Sequence, residues 1–500
     1  MKTLKQLASL VSGAEILGNA DEAITALAHD SRKVQEGTLF ICIPGVHVDG
    51  HSFIPQAVAS GARAILTTRS DVAVPDGISV LRVPKLDAAL QILAPAFYDY
   101  PARSMRVIGI TGTNGKTTTS YITRAILRKA GYKVGLIGTI QILIEEEKHE
   151  IHNTTPDVVE LQSTIAEMRD RGMDYVVMEV SSHALAENRV AGIEFDTAVF
   201  TNLTQDHLDY HKTFENYRLA KARLFDLVAR KGRKDGKTAI ANLDDPSSRV
   251  MLAHADCPHL TYAVEEDGDL IAKNIHVHED GSEFTLVHKD LGTMTLSMHI
   301  TGLFNVYNVM AATCAALAEH VAPKTIHAAL EAFHGVPGRF ELVRAGQKFP
   351  VIVDYAHTPD GVENVLHTAR KITKKRIIAV FGCGGDRDRT KRPIMGRLAA
   401  KLADVVLATS DNPRTEDPEA ILREVEAGVL ASIGKKPYEK IVDRKHAIFR
   451  AIELAEPGDV VVILGKGHEN YQILKDRTIH FDDKEAAREA IAARLGKEGA

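Results

Sequence analysis

Cysteine is scarce in this chain, and the few that occur are far apart. The 500 residues contain four, at Cys42, Cys257, Cys314 and Cys383, and no two of them form a C-x-x-C pair. This pattern is typical of free thiols in a reducing compartment. It gives no support to a disulfide-stapled secreted domain.

Long apolar and long basic runs are also missing. No stretch reaches the roughly 18 apolar residues that a membrane helix needs. The N-terminal segment MKTLKQLASLVSGAEI is a short amphipathic pattern, without the apolar core of a signal peptide. The net charge is −5, and no basic run suggests nucleic acid as a partner. We therefore expect a cytoplasmic protein without a membrane span.

Strand and helix patterns alternate along most of the chain. Apolar runs such as MRVIGI, DYVVMEV, RIIAVFGCGG and GDVVVILGKG end in Gly-, Pro- or Asx-rich loops and are followed by helical patterns. This order is typical of βαβ units with parallel sheets. At this length we predict an α/β fold of three domains, with boundaries at 1–104, 105–336 and 337–500.

The segment VIGITGTNGKTTTSYITRAIL has the properties of a phosphate-binding loop. A buried strand leads into a glycine-rich turn and a helix, so that backbone N–H groups and the helix N-terminus can face a phosphate chain. Ile110 stands at the first glycine position of the strict Walker pattern, and an ordinary strand–helix turn is the alternative. We predict that ATP binds Gly112, Thr113, Asn114, Gly115, Lys116, Thr117 and Thr118.

A second polar loop follows the apolar run VVLAT. Asp411, Asn412, Pro413 and Arg414 stand at the predicted carboxyl end of a strand, where α/β sheets bind ligands. The alternative is a plain turn before a helix that begins near Asp417 and Pro418.

The motifs together resemble those of the Mur ligases, a family of ATP-dependent amide-forming enzymes of peptidoglycan assembly. They are TGTNGKTT, HDSRKV, HNTTPD, MEVSSHAL, TNLTQDHLDYH, YRLAKARLF, GLFNVYNVMAA, GVPGRFE, DYAHTPD, FGCGGDRDRTKRP, SDNPR and GKGHE. The resemblance covers the whole chain. It implies a UDP-sugar-binding N-terminal domain, a central P-loop-type ATPase domain and a Rossmann-like amino-acid-binding C-terminal domain.

The resemblance also implies a catalytic group and a metal. Lys116 and Mg²⁺ would offset the charge of ATP as it approaches a carboxylate. The expected Mg²⁺ ligands are Thr117, Glu179, His207 and Lys221, the last as a carbamate. Without the family, His207 reads as a surface histidine and Lys221 as a solvated helix residue.

Substrate-binding residues follow from the same resemblance. Glu187 stands where related enzymes can have glutamine, and a glutamate there would repel an anionic substrate. The nucleotide-sugar peptide is expected at Ser31, Asn153, Thr154, Thr155, Ser181 and Arg189. The adenine and ribose side of ATP is expected at Asn305, Arg339 and Asp354, with Asn308 and His357 nearby.

The SDNPR form resembles that of the diaminopimelate-adding members of the family. Arg414 offers a planar fork for the distal carboxylate of that amino acid, whereas lysine has no such group. The expected diaminopimelate site is Arg387, Asp411, Asn412, Pro413, Arg414, Gly465 and Glu469.

The implied reaction joins meso-diaminopimelate to the D-glutamate of a UDP-N-acetylmuramoyl dipeptide through an acyl phosphate, and a monomer is expected. Two alternatives remain open at this point. One is a folylpolyglutamate synthetase-like ligase, which shares the phosphate loop. The other is a nucleotide-binding protein that performs no ligation.

Overall fold

Three sheets, each drawn from one segment of the chain, organise the computed structural model. The structure describes residues 1–45, 48–151, 153–229 and 234–498. The sheets have five, eleven and six strands, and two small antiparallel pairs accompany them. Within these described ranges, each helix is too short or too polar to cross a membrane.

The N-terminal sheet has the order β2-β7-β6-β5-β4, with β2 antiparallel and the other neighbours parallel. Three short 3₁₀ turns lie at Ser31–Lys33, Gly50–Phe53 and Pro101–Ser104. The strands and helices are β1 (Lys2–Thr3), α1 (Leu4–Ala8), β2 (Glu15–Leu17), β3 (Ala23–Ile24), β4 (Ala26–Ala28), β5 (Thr38–Ile41), α2 (Ile54–Ala59), β6 (Ala62–Thr67), β7 (Ser79–Arg82) and α3 (Leu86–Phe97).

The central sheet has a parallel middle, β9-β12-β8-β13-β14-β15-β16, flanked by antiparallel strands at both edges. Its elements are β8 (Arg106–Thr111), α4 (Lys116–Lys129), β9 (Val134–Ile137), β10 (Ile142–Ile144), β11 (Glu147–His149), α5 (Val158–Asp170), β12 (Tyr175–Glu179), α6 (Ser182–Ala186), β13 (Thr197–Phe200), α7 (Leu208–His211), α8 (Phe214–Ala229), β14 (Thr238–Asn242), α9 (Ser248–Ala253), β15 (His259–Ala263), β16 (Leu270–Val277), β17 (Ser282–His288), β18 (Gly292–Met298), α10 (Leu303–Ala318) and α11 (Pro323–Glu331).

The C-terminal sheet has the order β19-β20-β24-β21-β22-β23, parallel except for β19. Its elements are β19 (Glu341–Leu342), β20 (Val351–Asp354), α12 (Pro359–Ile372), β21 (Ile377–Phe381), α13 (Lys391–Leu402), β22 (Val405–Ala408), α14 (Pro418–Leu430), β23 (Tyr438–Lys440), α15 (Arg444–Leu454), β24 (Val460–Leu464), β25 (Tyr471–Ile473), β26 (Thr478–His480) and α16 (Asp483–Glu498).

Helices cover both faces of the central sheet, which explains its unbroken apolar strands. Ile122 of α4 and Val309 of α10 pack on one face, and Ile165 of α5 and Phe225 of α8 pack on the other. A strand buried on both faces needs apolar side chains on both sides of its pleat. The polar residues of the motifs therefore lie beyond the strand ends. The predicted domain boundaries remain a prediction, and the three sheets are compatible with them.

Candidate active site

The phosphate loop lies between β8 and α4, as the sequence predicts. Gly112 and Gly115 have φ of 152° and 87°, and a Cβ on Gly115 would lie 2.3 Å from Oδ1 of Asn308. Glycine is therefore required where the loop passes the α10 side chain. The first turn of α4 follows at Lys116, and its free N–H groups make this end of the helix suited to an anion.

Two lysines meet at one carbonyl of this loop. Lys116 Nζ lies 2.9 Å from the oxygens of both Gly112 and Thr113, and Lys221 Nζ lies 2.7 Å from the Gly112 oxygen. Lys221 is 1% exposed. Burial and then the charge of Lys116 hold the pKa of Lys221 well below its ordinary value. Burial also lowers the pKa of Lys116, although the charge of Glu179 opposes this.

Glu179 ends β12 and is fully buried beside the phosphate loop. Its Oε2 accepts from the Thr117 hydroxyl at 3.0 Å and from the Thr139 hydroxyl at 2.9 Å, and its Oε1 accepts from Thr139 N–H at 2.9 Å. These bonds fix the carboxylate in a dry place where an unpaired charge would be costly. A hard cation can take the place of these hydrogen-bond donors, because it also binds carboxylate oxygens.

His207 lies after β13, in a left-handed backbone conformation with φ of 55°. Its Nε2 is 3.3 Å from Asp206 Oδ2. Burial lowers the pKa of His207, and the nearby charges of Lys221 and Lys116 lower it further, which favours the neutral ring that a metal requires. Among the described residues, no group of three or more His, Cys, Asp and Glu side chains is arranged to hold a metal. A metal at this place would therefore need a hydroxyl or a modified lysine among its ligands.

Residues expected to bind the nucleotide-sugar peptide gather beside Glu179. The Thr155 hydroxyl donates to the Glu179 carbonyl at 2.8 Å and accepts from Ser181 N–H at 3.0 Å. Arg189 Nη1 donates to the Thr155 carbonyl at 3.2 Å. Arg189 also pairs with Glu187, Nη2 to Oε2, at 2.6 Å. Glu187 therefore neutralises the arginine expected to receive a carboxylate.

The N-terminal segment that carries Ser31 contacts the central segment through His29. His29 Nε2 lies 2.9 Å from Oδ2 of Asp157, the residue that caps α5. The Ser31 hydroxyl donates to Gln56 at 3.1 Å. Asn153 is exposed, whereas the Thr154 hydroxyl lies 3.1 Å from that of Thr139.

Two contacts join the C-terminal domain to the phosphate loop. Asp360, in the first turn of α12, accepts from Asn114 Nδ2 at 2.5 Å. Arg339 Nη2 donates to the Thr117 hydroxyl at 3.1 Å. The predicted ATP residues of both domains are thus brought to one cleft.

The adenine-side residues are occupied by structural bonds. Asn305 Nδ2 donates to the Thr301 carbonyl at 2.9 Å, and Asn308 Nδ2 donates to Asn305 Oδ1 at 3.1 Å. Both oxygens of Asp354 accept backbone N–H groups, from Phe340 at 2.6 Å and Ala356 at 2.7 Å. Asp354 therefore shapes the loop after β20 and the segment around Arg339.

The expected amino-acid site forms at the carboxyl ends of β21, β22 and β24. Arg414, with φ of 54°, donates from Nη1 to the Gly385 carbonyl at 2.8 Å. Arg387 donates to the Asp386 carbonyl at 2.9 Å. Throughout the described part of the chain, neither arginine makes an ion pair with a carboxylate. Burial and then the charge of Arg387 lower the pKa of Arg414, whereas the charges of Asp411 and Glu469 oppose this shift, so cations and acids of this site lie close together.

Acidic and amide groups complete this site. Asn412 Nδ2 donates to Glu469 Oε2 at 2.9 Å. A Cβ on Gly465, whose φ is 117°, would lie 2.4 Å from Asp411 Oδ2, so glycine is required there. The helix-cap function belongs to Asp417, which accepts from Glu419 N–H at 3.1 Å. Residues 411–414 are thus not needed to start α14.

Models of one protein family match the three segments in order. The model described as Mur ligase family, catalytic domain, matches residues 23–98, Mur ligase middle domain matches 110–316, and Mur ligase, glutamate ligase domain, matches 338–467. A relative from Geobacillus thermodenitrificans (strain NG80-2), named UDP-N-acetylmuramoyl-L-alanyl-D-glutamate–2,6-diaminopimelate ligase, is 51% identical over 479 residues, or 95% of this chain and 96% of its own length. The chain belongs to the Mur ligase family. The resemblance seen in the motifs is confirmed.

Further Mur ligases agree with this assignment. A relative from Syntrophomonas wolfei with the same name is 47% identical over 478 residues, covering 96% of both chains. A solved structure titled as that ligase is 33% identical, covers 99% of both chains and has a TM-score of 0.66. MurF from Acinetobacter baumannii, 19% identical with a TM-score of 0.71, shares the fold, covering 99% of this chain and 98% of its own. The predicted three-domain α/β fold is confirmed.

Some positioning residues of this Mur ligase were missed by the sequence reasoning. Thr139 follows β9 and holds Glu179, while Asp360 holds Asn114. Arg444, fully buried, pairs with Asp483 at 2.7 Å and donates to the Leu464 carbonyl at 2.9 Å. A threonine after a strand or an acid in a first helical turn carries no signal of its own in a sequence. Their roles depend on partners far away in the chain.

Proposed function

We propose that this Mur ligase joins meso-2,6-diaminopimelate to the D-glutamate of UDP-N-acetylmuramoyl-L-alanyl-D-glutamate at the expense of ATP. Relatives that are 47 to 51% identical over nearly the full length bear the name of this reaction. The observation that carries the amino-acid assignment is the pair Arg387 and Arg414, which make no ion pair with a carboxylate among the described residues and lie close enough to Glu469 for its charge to act on Arg414. A distal carboxylate supplies the missing partner, and a distal ammonium suits Glu469.

The reaction has two steps. A carboxylate oxygen of the D-glutamate attacks the γ-phosphorus of ATP, the bond to the bridging oxygen breaks, and ADP leaves. The amine of diaminopimelate then attacks the acyl carbon, inorganic phosphate leaves, and the amine gives up a proton as the amide forms. Lys116 and the N-terminus of α4 stabilise the charge of the transferring phosphoryl group. Arg339 adds a second cation from the junction between the domains.

Mg²⁺ fits the donor set beside the phosphate loop. Thr117, Glu179, His207 and Lys221 would hold it, and when bound it would offset the negative charge of the phosphates. As free amines, Lys116 and Lys221 together would repel a cation at Gly112. These four side chains therefore suit a metal ion when Lys221 is modified so that it carries a negative charge.

Carbamylation of Lys221 provides that anion. A neutral amine adds to CO₂, a C–N bond forms, and one proton is released. The depressed pKa of the buried Lys221 supplies the neutral amine. We accordingly assign Lys221 as the modified residue, with Lys116, Glu179 and His207 as the other catalytic residues.

The remaining assignments rest on the contacts described above. The peptide substrate is bound by Ser31, Asn153, Thr154, Thr155, Ser181 and Arg189. ATP is bound by residues 112–118 with Asn305, Arg339 and Asp354. Diaminopimelate is bound by Arg387, residues 411–414, Gly465 and Glu469. A monomer located in the cytoplasm is proposed from the sequence alone.

The decisive experiment is coupled phosphate release with the UDP-linked dipeptide, ATP and either diaminopimelate or L-lysine. We expect release with diaminopimelate and at least roughly 1,000-fold lower kcat/KM with lysine, because lysine brings no carboxylate to the half-buried Arg414 and the exposed Arg387. Equal rates would refute the assigned amino acid. No release with either would favour a nucleotide-binding protein that performs no ligation. Phosphate release that requires a folate would favour a folylpolyglutamate synthetase. The Mycobacterium tuberculosis folylpolyglutamate synthase structure is 20% identical with a TM-score of 0.62, so its similarity shows a shared fold and no shared activity.

A further inference from the structure

A buried lysine lies between two residues assigned to the amino-acid site. Lys466 follows β24 in the GKGHE loop and is 0% exposed. Its Nζ lies 3.1 Å from Asn412 Oδ1 and 3.0 Å from Glu469 Oε2. The ring of Tyr471 lies 5.4 Å from the same ammonium. The sequence reasoning gave this lysine no function.

Lys466 fixes the orientation of the Asn412 amide. An ammonium group donates hydrogen bonds and accepts none, so the atom that faces it must be the amide oxygen. That oxygen also accepts from Ile473 N–H at 3.0 Å. The amide nitrogen is thereby directed to Glu469, at 2.9 Å. With a flipped amide, an NH₂ group would face both an ammonium and a backbone N–H.

Lys466 also compensates the charge of Glu469. The Glu469 side chain is 12% exposed, and a carboxylate in such a place is costly without a partner. Its Oε2 accepts from both Lys466 and Asn412. Oε1 makes neither of these two bonds, and we assign it to the substrate ammonium. Without Lys466, the carboxylate would lose its cation and the amide would lose its fixed orientation.

We propose that Lys466 is a positioning residue for the amino-acid substrate, which sets Asn412 and Glu469 to receive the distal end of diaminopimelate. This inference rests on the proposed function. It assigns no contact between Lys466 and the substrate. We expect its effect to be specific to one substrate, because its side-chain hydrogen bonds among the described residues go to Asn412 and Glu469.

The test compares Lys466→Met and Lys466→Gln with the exposed Lys475→Met as a matched control in phosphate-release assays. We expect Lys466→Met to raise the KM for diaminopimelate roughly 10- to 100-fold while the KM for ATP changes less than about 3-fold. Lys466→Gln retains a donor for Asn412 and should give a smaller rise. Lys475→Met should match the wild type.

A double variant separates positioning from a general loss of structure. Once Glu469→Gln has removed the carboxylate, adding Lys466→Met should raise the KM for diaminopimelate less than it does in the wild type, because only the orientation of Asn412 remains to be lost. The double variant has no unpaired carboxylate at position 469. It can therefore be assayed even if Lys466→Met alone fails to fold. Parallel rises in both KM values, an unchanged KM for diaminopimelate, or effects that multiply in the double variant would overturn the inference. A wild-type chain that releases no phosphate with diaminopimelate would instead refute the proposed function and the inference with it.

Discussion

Arg414→Ala is the most direct perturbation of the proposed amino-acid site. The guanidinium is held by the Gly385 carbonyl at 2.8 Å, and the backbone N–H is held by the Ile473 carbonyl at 3.1 Å. Alanine keeps the backbone bond, and it meets the same positive φ as the arginine it replaces. The substitution therefore removes the charged fork and leaves the loop path unchanged.

The hydrogen bonds that Arg414 would make to a substrate carboxylate set the expected loss in affinity. Each hydrogen bond to a charged group contributes about 1.5–3 kcal/mol, and a carboxylate on an arginine fork makes two of them. Discounting for the partial exposure of the site and for the remaining Arg387, we expect a loss of about 3 kcal/mol, or roughly 150-fold in kcat/KM for diaminopimelate. The free energy of unfolding should change little. The lost bond to Gly385 is worth about 1 kcal/mol, and removal of a half-buried cation beside Arg387 offsets it.

The assay is phosphate release at saturating dipeptide, with diaminopimelate and ATP varied in turn. Arg423→Ala is the matched control, because Arg423 lies on the neighbouring α14 with a 62% exposed side chain. The KM for diaminopimelate should rise far more than the KM for ATP in Arg414→Ala, and neither should move in the control. Equal changes in the two KM values would refute the reasoning, as would unchanged use of diaminopimelate.

Three further predictions concern other parts of the cleft. Lys221→Ala should lower kcat at least about 100-fold, and added acetate should restore part of the activity because it supplies an anion. Lys221→Arg should not recover with acetate. Phosphate release measures both variants, and recovery of the arginine variant would contradict a need for an anion. Glu187→Gln should lower the KM for the UDP-linked dipeptide about 2- to 5-fold without changing the KM for ATP, because Arg189 loses its competing carboxylate. A higher KM for the dipeptide in the same assay would show that Glu187 assists binding. The hydrogen bond that His29 donates to the Asp157 carboxylate raises the pKa of His29, so the stabilisation from this pair is complete below about pH 6.5 and is lost as the pH rises through the raised value. His29→Gln should therefore lower Tm by about 1–3 °C at pH 5.5 and by less at pH 9 in thermal melts, and an equal loss at both pH values would rule out the ion pair as its cause.

The fold and the places of the site loops could be predicted because they depend on local patterns. A buried strand, a glycine turn and a helix start at Lys116 are all readable within about twenty residues, and so is the polar loop at Arg414 after β22. Contacts between segments could not be read in this way. The Asn114–Asp360 bond spans 246 positions and the Thr117–Arg339 bond spans 222. No local sequence pattern predicts a contact between residues so far apart in the chain.

The same distinction explains why Glu187 and Lys466 are informative. In the sequence, Glu187 reads as a repulsive substitution, but the structure pairs it with Arg189, so the charge of the arginine that we propose for the peptide carboxylate is offset within the protein. Lys466 reads as one residue of a glycine-rich loop, yet it holds Asn412 and Glu469 together. In both cases a charge acts through another side chain, and burial strengthens this coupling for Lys466 and Glu469. Substrate selectivity in this cleft should consequently follow the pairs, because changing one member alters which charge the substrate meets.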